Sequence, residues 1–384
     1  MNRYANPVRI LQGPGCVQVL PQVLAEAVAP EARVLLLVWN SELCSLPVFA
    51  QLLARGENAC RACCFQASNP TVDQLLAAYR ETRDFAPQVV VAVGGGSTLD
   101  VGKSLCCLYG RELADGDDLR RLIAGGNYGT PAVRWIGIPT TAGTGSEVTC
   151  WATIWDPDQE AKRSVECREN YAWAALVDPD LAAGMPLQLS VSSALDALAH
   201  AVESYWARGT NCVSRALALE AIRTILGQLE DLIAGVPAAH DAMARGSLLA
   251  GLAFSNTKTT ACHSISYPLT MHYGIPHGTA VSLLLAPVLR LNAPAVAELS
   301  ALLDALGVRD AGELADRVRG YLERAGIPTS LQAWGARRAD LPHLAQRSLT
   351  KGRADNNPVE IRPETALSLL EDIYTTDHME QKGA

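Results

Sequence analysis

The 384-residue sequence contains no apolar run long enough to span a bilayer. Its longest, such as VLLLVW and AVSLLLAPVL, fall far short of the roughly 20 residues required. Its first residues, MNRYANPVRIL, lack the apolar stretch and small-residue cleavage site of an export signal, so a cytoplasmic location is expected. A basic surplus is also missing. The formal charge is −8 with both signs interspersed, which argues against nucleic acid and against a membrane surface as partners. An anionic ligand would have to be held by a few local cations. Repeats and low-complexity tracts are absent. Cysteine is plentiful, at eleven, but without an export signal these read as buried thiols and not a disulfide framework. Cys60, Cys63 and Cys64 lack the second Cys or His pair that a zinc knuckle needs, and core packing accounts for them better.

What is present falls into two halves. Up to about residue 185, strand-like runs (ARVLLLVW, ACRACCF, QVVVAV, WIGIP) alternate with helical stretches, including one from Thr71 to Phe85, which is the pattern of a parallel sheet covered by helices. From about Leu187 the strand signal disappears, and Ala/Leu-rich amphipathic runs such as SRALALEAIRTILGQLEDLI take over. The expectation is an α/β domain over 1–185 and an all-α domain over 186–384, with the break near DPDLAAGMP and a ligand cleft between them.

Only seven histidines occur, and three of them, His200, His263 and His277, accompany Asp196 in two apolar segments. Asp196 and His200 lie four apart in ALDALAHAVESYW, whose apolar spacing and freedom from Gly and Pro predict helix, so both side chains share a face. In HSISYPLTMHYGIPHG, His263 closes a second helical run and His277 sits in a Gly/Pro-punctuated loop able to fold back toward it. Together the four residues offer one oxygen and three nitrogen ligands, a set suited to Fe²⁺ or Zn²⁺ with room left for a substrate oxygen. An Asp-x-x-x-His pair alone is more often a solvated or hydrogen-bonded pair. The concentration of rare histidines favours the metal.

The run QVVVAVGGGSTLDVGKSL reads as a strand, three glycines and a helix opened by Ser97. Gly94, Gly95 and Gly96 would let backbone N–H groups approach a pyrophosphate at the helix N-terminus. Leu99 stands where the last glycine of G-x-G-x-x-G belongs, so that fingerprint is not met. A Ser97/Asp100 capping box would explain the turn without any ligand. A second polar loop, IPTTAGTGSEVT, gathers Thr140, Thr141, Thr144, Ser146 and Glu147 around two glycines, a density of hydroxyls suited to phosphate and ribose.

GGGSTLDVGKS, PTTAGTGSEVT, DALAHAVESY and HSISYPLTMHYGIPHG, in that order, resemble the iron-containing (group III) alcohol dehydrogenase family over nearly the whole chain. The resemblance implies a dehydroquinate-synthase-like fold, an α/β dinucleotide-binding domain followed by an all-α domain. It implies metal ligands at Asp196, His200, His263 and His277. Gly94, Gly95, Gly96 and Ser97 would lie at the pyrophosphate, Asp100 near the nicotinamide, Thr140 and Thr141 in the second loop, and Asn69, Pro70 and Thr71 near the ribose and adenine. NADH or NADPH is the implied cofactor, and a homodimer or higher homo-oligomer is expected. A lyase of the dehydroquinate synthase type needs a Glu/His/His ligand set, against which Asp196 speaks. A non-catalytic protein on the same scaffold is the remaining alternative.

Two departures from the family pattern stand out. Tyr267 occupies the position four after the third ligand where many members carry a proton-relaying His, which leaves Tyr267 or His272 for that task. Asn40 stands where an acidic residue would bond the ribose 2′-hydroxyl and repel a 2′-phosphate, so NADPH becomes admissible. NTKTTACHSISYPLT, with Lys258 five residues before His263, resembles the phosphonoacetaldehyde reductase branch. An ammonium there would hold an aldehyde with an anionic tail, reaching around its helix because five residues are roughly 1.4 turns. Arg163, Lys351 and Arg353 are weaker cations for the same purpose. The expected reaction is reduction of phosphonoacetaldehyde to 2-hydroxyethylphosphonate, the alternative being another small aldehyde, sulfonated, carboxylated or uncharged.

Overall fold

The computed structural model describes residues 3–375. Its chain divides into two compact units. One holds Asn6–Thr141 and Gly145–Gly184, and the other holds Ala142–Thr144 and the chain from Met185 onward, joined by the first few residues.

The sheet unit is built on six parallel strands: β1 (Arg9–Gln12), β2 (Val34–Val38), β3 (Cys60–Cys64), β4 (Val89–Gly94), β5 (Arg134–Pro139) and, after an antiparallel hairpin of β6 (Trp151–Asp156) and β7 (Ala161–Glu166), β8 (Ala174–Val177). The order is β1-β8-β5-β4-β2-β3. Every residue of VLLLV in β2 and of VVVAVG in β4 is buried, as expected of central parallel strands covered on both faces, which read as unbroken apolar runs. Cys60, Cys63 and Cys64 belong to edge strand β3 and are free thiols. Strand β1, the β6–β7 hairpin and β8 add to the strands expected from the sequence.

Helices α1 (Leu20–Ala27), α2 (Pro47–Leu53), α3 (Val72–Thr82), α4 (Gly96–Leu108) and α5 (Gly116–Gly125) connect the strands. From β2 the chain moves outward to β3 and then returns to the other side of β2 for β4 and β5. The point of reversal lies between β2 and β4, and the crevice at the carboxyl ends of such strands is where open α/β sheets bind ligands.

The helical unit comprises α6 (Leu187–Trp206), α7 (Cys212–Ile233), α8 (Ala239–Thr257), α9 (Ala261–Tyr273), α10 (His277–Asn292), α11 (Leu299–Leu306), α12 (Ala311–Arg324), α13 (Leu341–Arg347) and α14 (Pro363–Asp372). Helix α6 is buried over nearly its whole length, packed by α7, α8 and α10. It therefore has no solvent face on which Asp196 and His200 could lie. Among the described residues no helix is long and apolar enough to cross a membrane.

Candidate functional site

Two of the sequence expectations about local structure are corrected. His263 does not close a helix but stands in the first turn of α9, because Lys258 ends α8 in an extended left-handed conformation (φ 62°, ψ 178°) and the chain restarts at Ala261. His277 is not in a loop but is the first residue of α10, directly after Pro276. Both histidines are thereby fixed at helix N-termini. Pro268 sits inside α9.

Asp196, His263 and His277 each present a ligand atom within 4.8 Å of the others. Glycine makes this approach possible. A Cβ at Gly278 would collide with the Ser192 carbonyl oxygen and stand 3.0 Å from the Asp196 Cβ, so only glycine lets the start of α10 lie this close to α6. His200 adjoins the trio without joining it: its Nε2 is 2.9 Å from His263 Nε2, and its Nδ1 is 3.9 Å from Asp196 Oδ1. The Nδ1 edge also faces the Gly143 carbonyl oxygen at 3.3 Å, and the ring stacks on Phe254. An N–H donated to that carbonyl leaves the Nε2 lone pair turned toward the cluster, the tautomer a metal ligand requires.

These residues fit a cation. Asp196 is buried, and its Oδ1 accepts no hydrogen bond among the described residues. A buried carboxylate oxygen in that condition is costly unless a positive charge faces it. Burial by itself would raise the Asp196 pKa, but the neighbouring His200, His263 and His277 hold it well below the ordinary carboxylate range. Burial pushes His200 down to about 4 despite Asp196. Burial opposes a charge on His263 as well, yet the Glu203 and Asp196 carboxylates on either side of it carry its pKa up to about 10.

Sequence reasoning passed over Glu203. Its carboxylate is fully buried and contacts His263 Nδ1 directly, opposite the cluster. A signal was available, since Asp196, His200 and Glu203 follow the i, i+4, i+7 spacing of one helix face.

In the sheet unit, the glycine turn ends β4 at the point of topological reversal. Gly95 is the N-cap of α4, and no side chain caps that helix, whereas Thr71 and Gln74 form a complete capping box on α3. The Ser97/Asp100 capping box is therefore not formed. Ser97 Oγ accepts a hydrogen bond from the Asn69 N–H, while Asp100 accepts from Ser146 Oγ and the Thr153 N–H. Free first-turn N–H groups at a Gly-capped helix suit an anion. The glycine missed at Leu99 has a counterpart one turn on. A Cβ at Gly102 would lie 2.8 Å from the Ala92 Cβ, so Gly102 permits the close helix-to-strand packing that the last fingerprint glycine provides elsewhere.

The second loop adjoins this turn, with the Thr140 N–H donating to the Gly94 carbonyl and the Thr141 methyl beside Gly95. Thr144, on the same loop, groups with the helical unit. Pro70 accepts from the Trp155 N–H, fixing the Asn69–Thr71 turn. Asn40 follows β2 by two residues and caps the short helix after it, accepting from the Glu42 N–H.

The other expected residues are distributed as follows. Tyr267, one turn after His263, is buried and stacks on His277 with ring centroids 5.7 Å apart. His272 is exposed, nine residues or roughly 13 Å of helix beyond His263, with its ring against His343. Lys258 is half-buried at the end of α8, so its helix is not the one that carries His263. Arg163 is committed to an ion pair with Asp156, Lys351 is exposed, and Arg353 is buried.

The model of the iron-containing alcohol dehydrogenases matches residues 7–179, and the model of the Fe-containing alcohol dehydrogenase family C-terminal domain matches residues 190–374. The chain belongs to the iron-containing alcohol dehydrogenase family. It is 33% identical to lactaldehyde reductase of Escherichia coli K12 over 322 residues, 81% of each protein. It is 32% identical to phosphonoacetaldehyde reductase of Streptomyces viridochromogenes, over 78% of this chain and 80% of that one. Its fold matches that of sulfoacetaldehyde reductase from Bifidobacterium kashiwanohense in complex with NAD⁺, with a TM-score of 0.85, 27% identity, and coverage of 98% of this chain and 100% of the other. As an iron-containing alcohol dehydrogenase, the chain is an oxidoreductase that works with a metal and NAD(P)H. The α/β and all-helical halves expected of that fold are both present.

Proposed function

We propose that the chain reduces small aldehydes bearing an anionic tail, with phosphonoacetaldehyde or a close analogue as substrate and 2-hydroxyethylphosphonate as the product in the first case. The observation that carries the reductase chemistry is the trio of buried Asp196, buried His263 and half-buried His277, with an Asp196 oxygen that accepts no hydrogen bond among the described residues. When bound, the divalent metal would polarise a carbonyl and the nicotinamide would supply hydride. The chain's own residues do the rest. Asp196, His263 and His277 would hold the metal, joined by His200 through Nε2. The N–H groups from Gly94 to Ser97 would bind the pyrophosphate, and Thr140, Thr141 and Thr144 would contact phosphate and ribose. Tyr267, buried against His277, is better placed than exposed His272 to hold a proton at its phenol oxygen.

Lys258 supports the anionic tail. Its backbone region is almost exclusive to glycine and costs on the order of 1–3 kcal/mol. Asn356 Nδ2 enforces it by donating to the carbonyls of Thr257 and Thr259 on either side, and Thr257 Oγ1 donates to the Lys258 carbonyl. A cation held on so constrained a backbone, five residues before His263, suits a phosphonate or sulfonate. Two of the relatives above are named for acetaldehydes with such tails; lactaldehyde has none.

The test is kcat/KM for phosphonoacetaldehyde against butyraldehyde, in the natural protein and in Lys258→Ala. The variant should lose about 10- to 100-fold on the phosphonate and little on butyraldehyde. Equal efficiency on both aldehydes, unchanged in the variant, would leave a reductase of uncharged aldehydes.

A further inference from the structure

We propose that Glu203 is the positioning residue for His263, fixing the proton on Nδ1 and aiming the Nε2 lone pair at the metal; this rests on the proposed metal ligands. Two observations on the same carboxylate carry it. Its Oε1 accepts from Thr260 Oγ1 at 2.7 Å, from the Cys262 N–H at 2.7 Å, and from the N–H groups of Thr260 and His263 at longer range. These are donors at the start of α9, whose N-cap Thr260 supplies no side-chain cap of its own. Its Oε2 meets His263 Nδ1. One carboxylate therefore locks both the backbone that carries His263 and the ring itself.

The donor set also balances charge. A divalent cation held by neutral histidines and one aspartate would keep a net positive charge in a pocket where Asp196, His200, Glu203 and His263 are all buried. The Asp196 and Glu203 carboxylates together cancel it. A carboxylate behind a ligating imidazole raises ligand basicity and fixes ring orientation, and losing such a partner typically costs 10- to 100-fold in metal affinity.

Glu203→Gln separates orientation from space filling. The amide oxygen will take the Oε1 position, where four donors converge, leaving the amide N–H₂ against His263 Nδ1. That nitrogen must then accept, which drives the ring proton to Nε2 and blocks ligation. In full-length protein stripped of metal, titration with Zn²⁺, and with Co²⁺ read by its visible spectrum, should show affinity reduced about 10- to 100-fold, with NADH binding retained. His263→Ala and His277→Ala serve as references. If they keep the natural affinity, the metal assignment itself falls. If they lose it while Glu203→Gln binds like the natural protein with an unchanged Co²⁺ spectrum, only the role of Glu203 falls. Should Glu203→Gln fail to fold, ¹⁵N-histidine NMR of the zinc-loaded natural protein decides, with the His263 signal assigned by its absence in His263→Ala. A protonated Nδ1 with a zinc-bound Nε2 supports the role, and zinc on Nδ1 overturns it.

Discussion

On the proposed reading, the helical unit and the sheet unit would meet opposite charges with different materials. Around Asp196, the groups gathered are side chains: two carboxylates and three imidazoles, drawn from α6, α9 and α10 and nearly all buried. At the end of β4, the groups on offer are backbone: a Gly-capped helix start without a side-chain cap, at the point where strand order reverses. A transition-metal dication favours carboxylate oxygen and imidazole nitrogen, which only side chains carry. A pyrophosphate needs many aligned N–H donors, which a helix terminus already has. Lesions in the two regions should therefore be separable.

The strongest break of this comparison is a pair of substitutions. His277→Ala should abolish metal and lower turnover by about three orders of magnitude or more, with NADH affinity near natural. Gly94→Ala should do the reverse, because its Cβ would lie 2.5 Å from Thr98 Cβ and Oγ1 and force the turn open. We expect at least roughly tenfold weaker NADH binding there with full metal content. Elemental analysis and NADH fluorescence read both. Loss of metal in Gly94→Ala would show that the two regions are not independent.

The next effect sharpens the metal side. His263, with a pKa near 10 in the metal-free pocket, is protonated at neutral pH, whereas Asp196 is ionised and His200, near 4, is neutral. Metal uptake must displace the His263 proton. Affinity should then rise about tenfold per pH unit between pH 6 and 9, with about one proton released per metal. Calorimetry in two buffers of different ionisation enthalpy measures that proton directly. No release at pH 7 would mean that His263 enters the site already neutral.

Much of both regions was legible in the sequence, for identifiable reasons. Asp196 and His200 were legible because helical spacing is a local property and α6 has no breaker within it. The glycine turn was legible because an apolar strand, glycines and a helix are contiguous. The helix starts at His263 and His277 were not, because they depend on the Lys258 backbone and on Pro276. Gly278 carried no signal at all, since its need arises only when α10 meets the Ser192 carbonyl. The separation of His200 from the trio is likewise a matter of how three helices pack. Gly102 was hidden by a shift of one helical turn from the familiar spacing.

The smallest predicted effect contrasts acids of equal burial. Asp196 and Glu203 in the helical unit are held ionised, both below their ordinary values, by histidines that more than offset their burial. Glu147 in the sheet unit is also fully buried, but burial dominates there. A backbone hydrogen bond and, to a lesser degree, Lys103 offset only part of it, and the carboxyl rises from 4.5 to about 7. Lys103 is turned mainly to Ser146, Thr149 and the Trp151 carbonyl, which accept from its Nζ at 2.7–3.0 Å. A raised carboxyl pKa means that the folded chain holds the proton more tightly than the unfolded one. The stabilisation is complete below pH 4.5 and is lost as pH rises through about 7. Between pH 5 and 8 this group should remove on the order of 2 kcal/mol from the stability of the natural protein. Glu147→Gln cannot titrate, so its stability relative to the natural protein should increase over that interval when followed by urea unfolding. Parallel pH profiles for the two proteins would show that Glu147 is ionised in the fold, and would place its balance of burial and charge with that of Asp196.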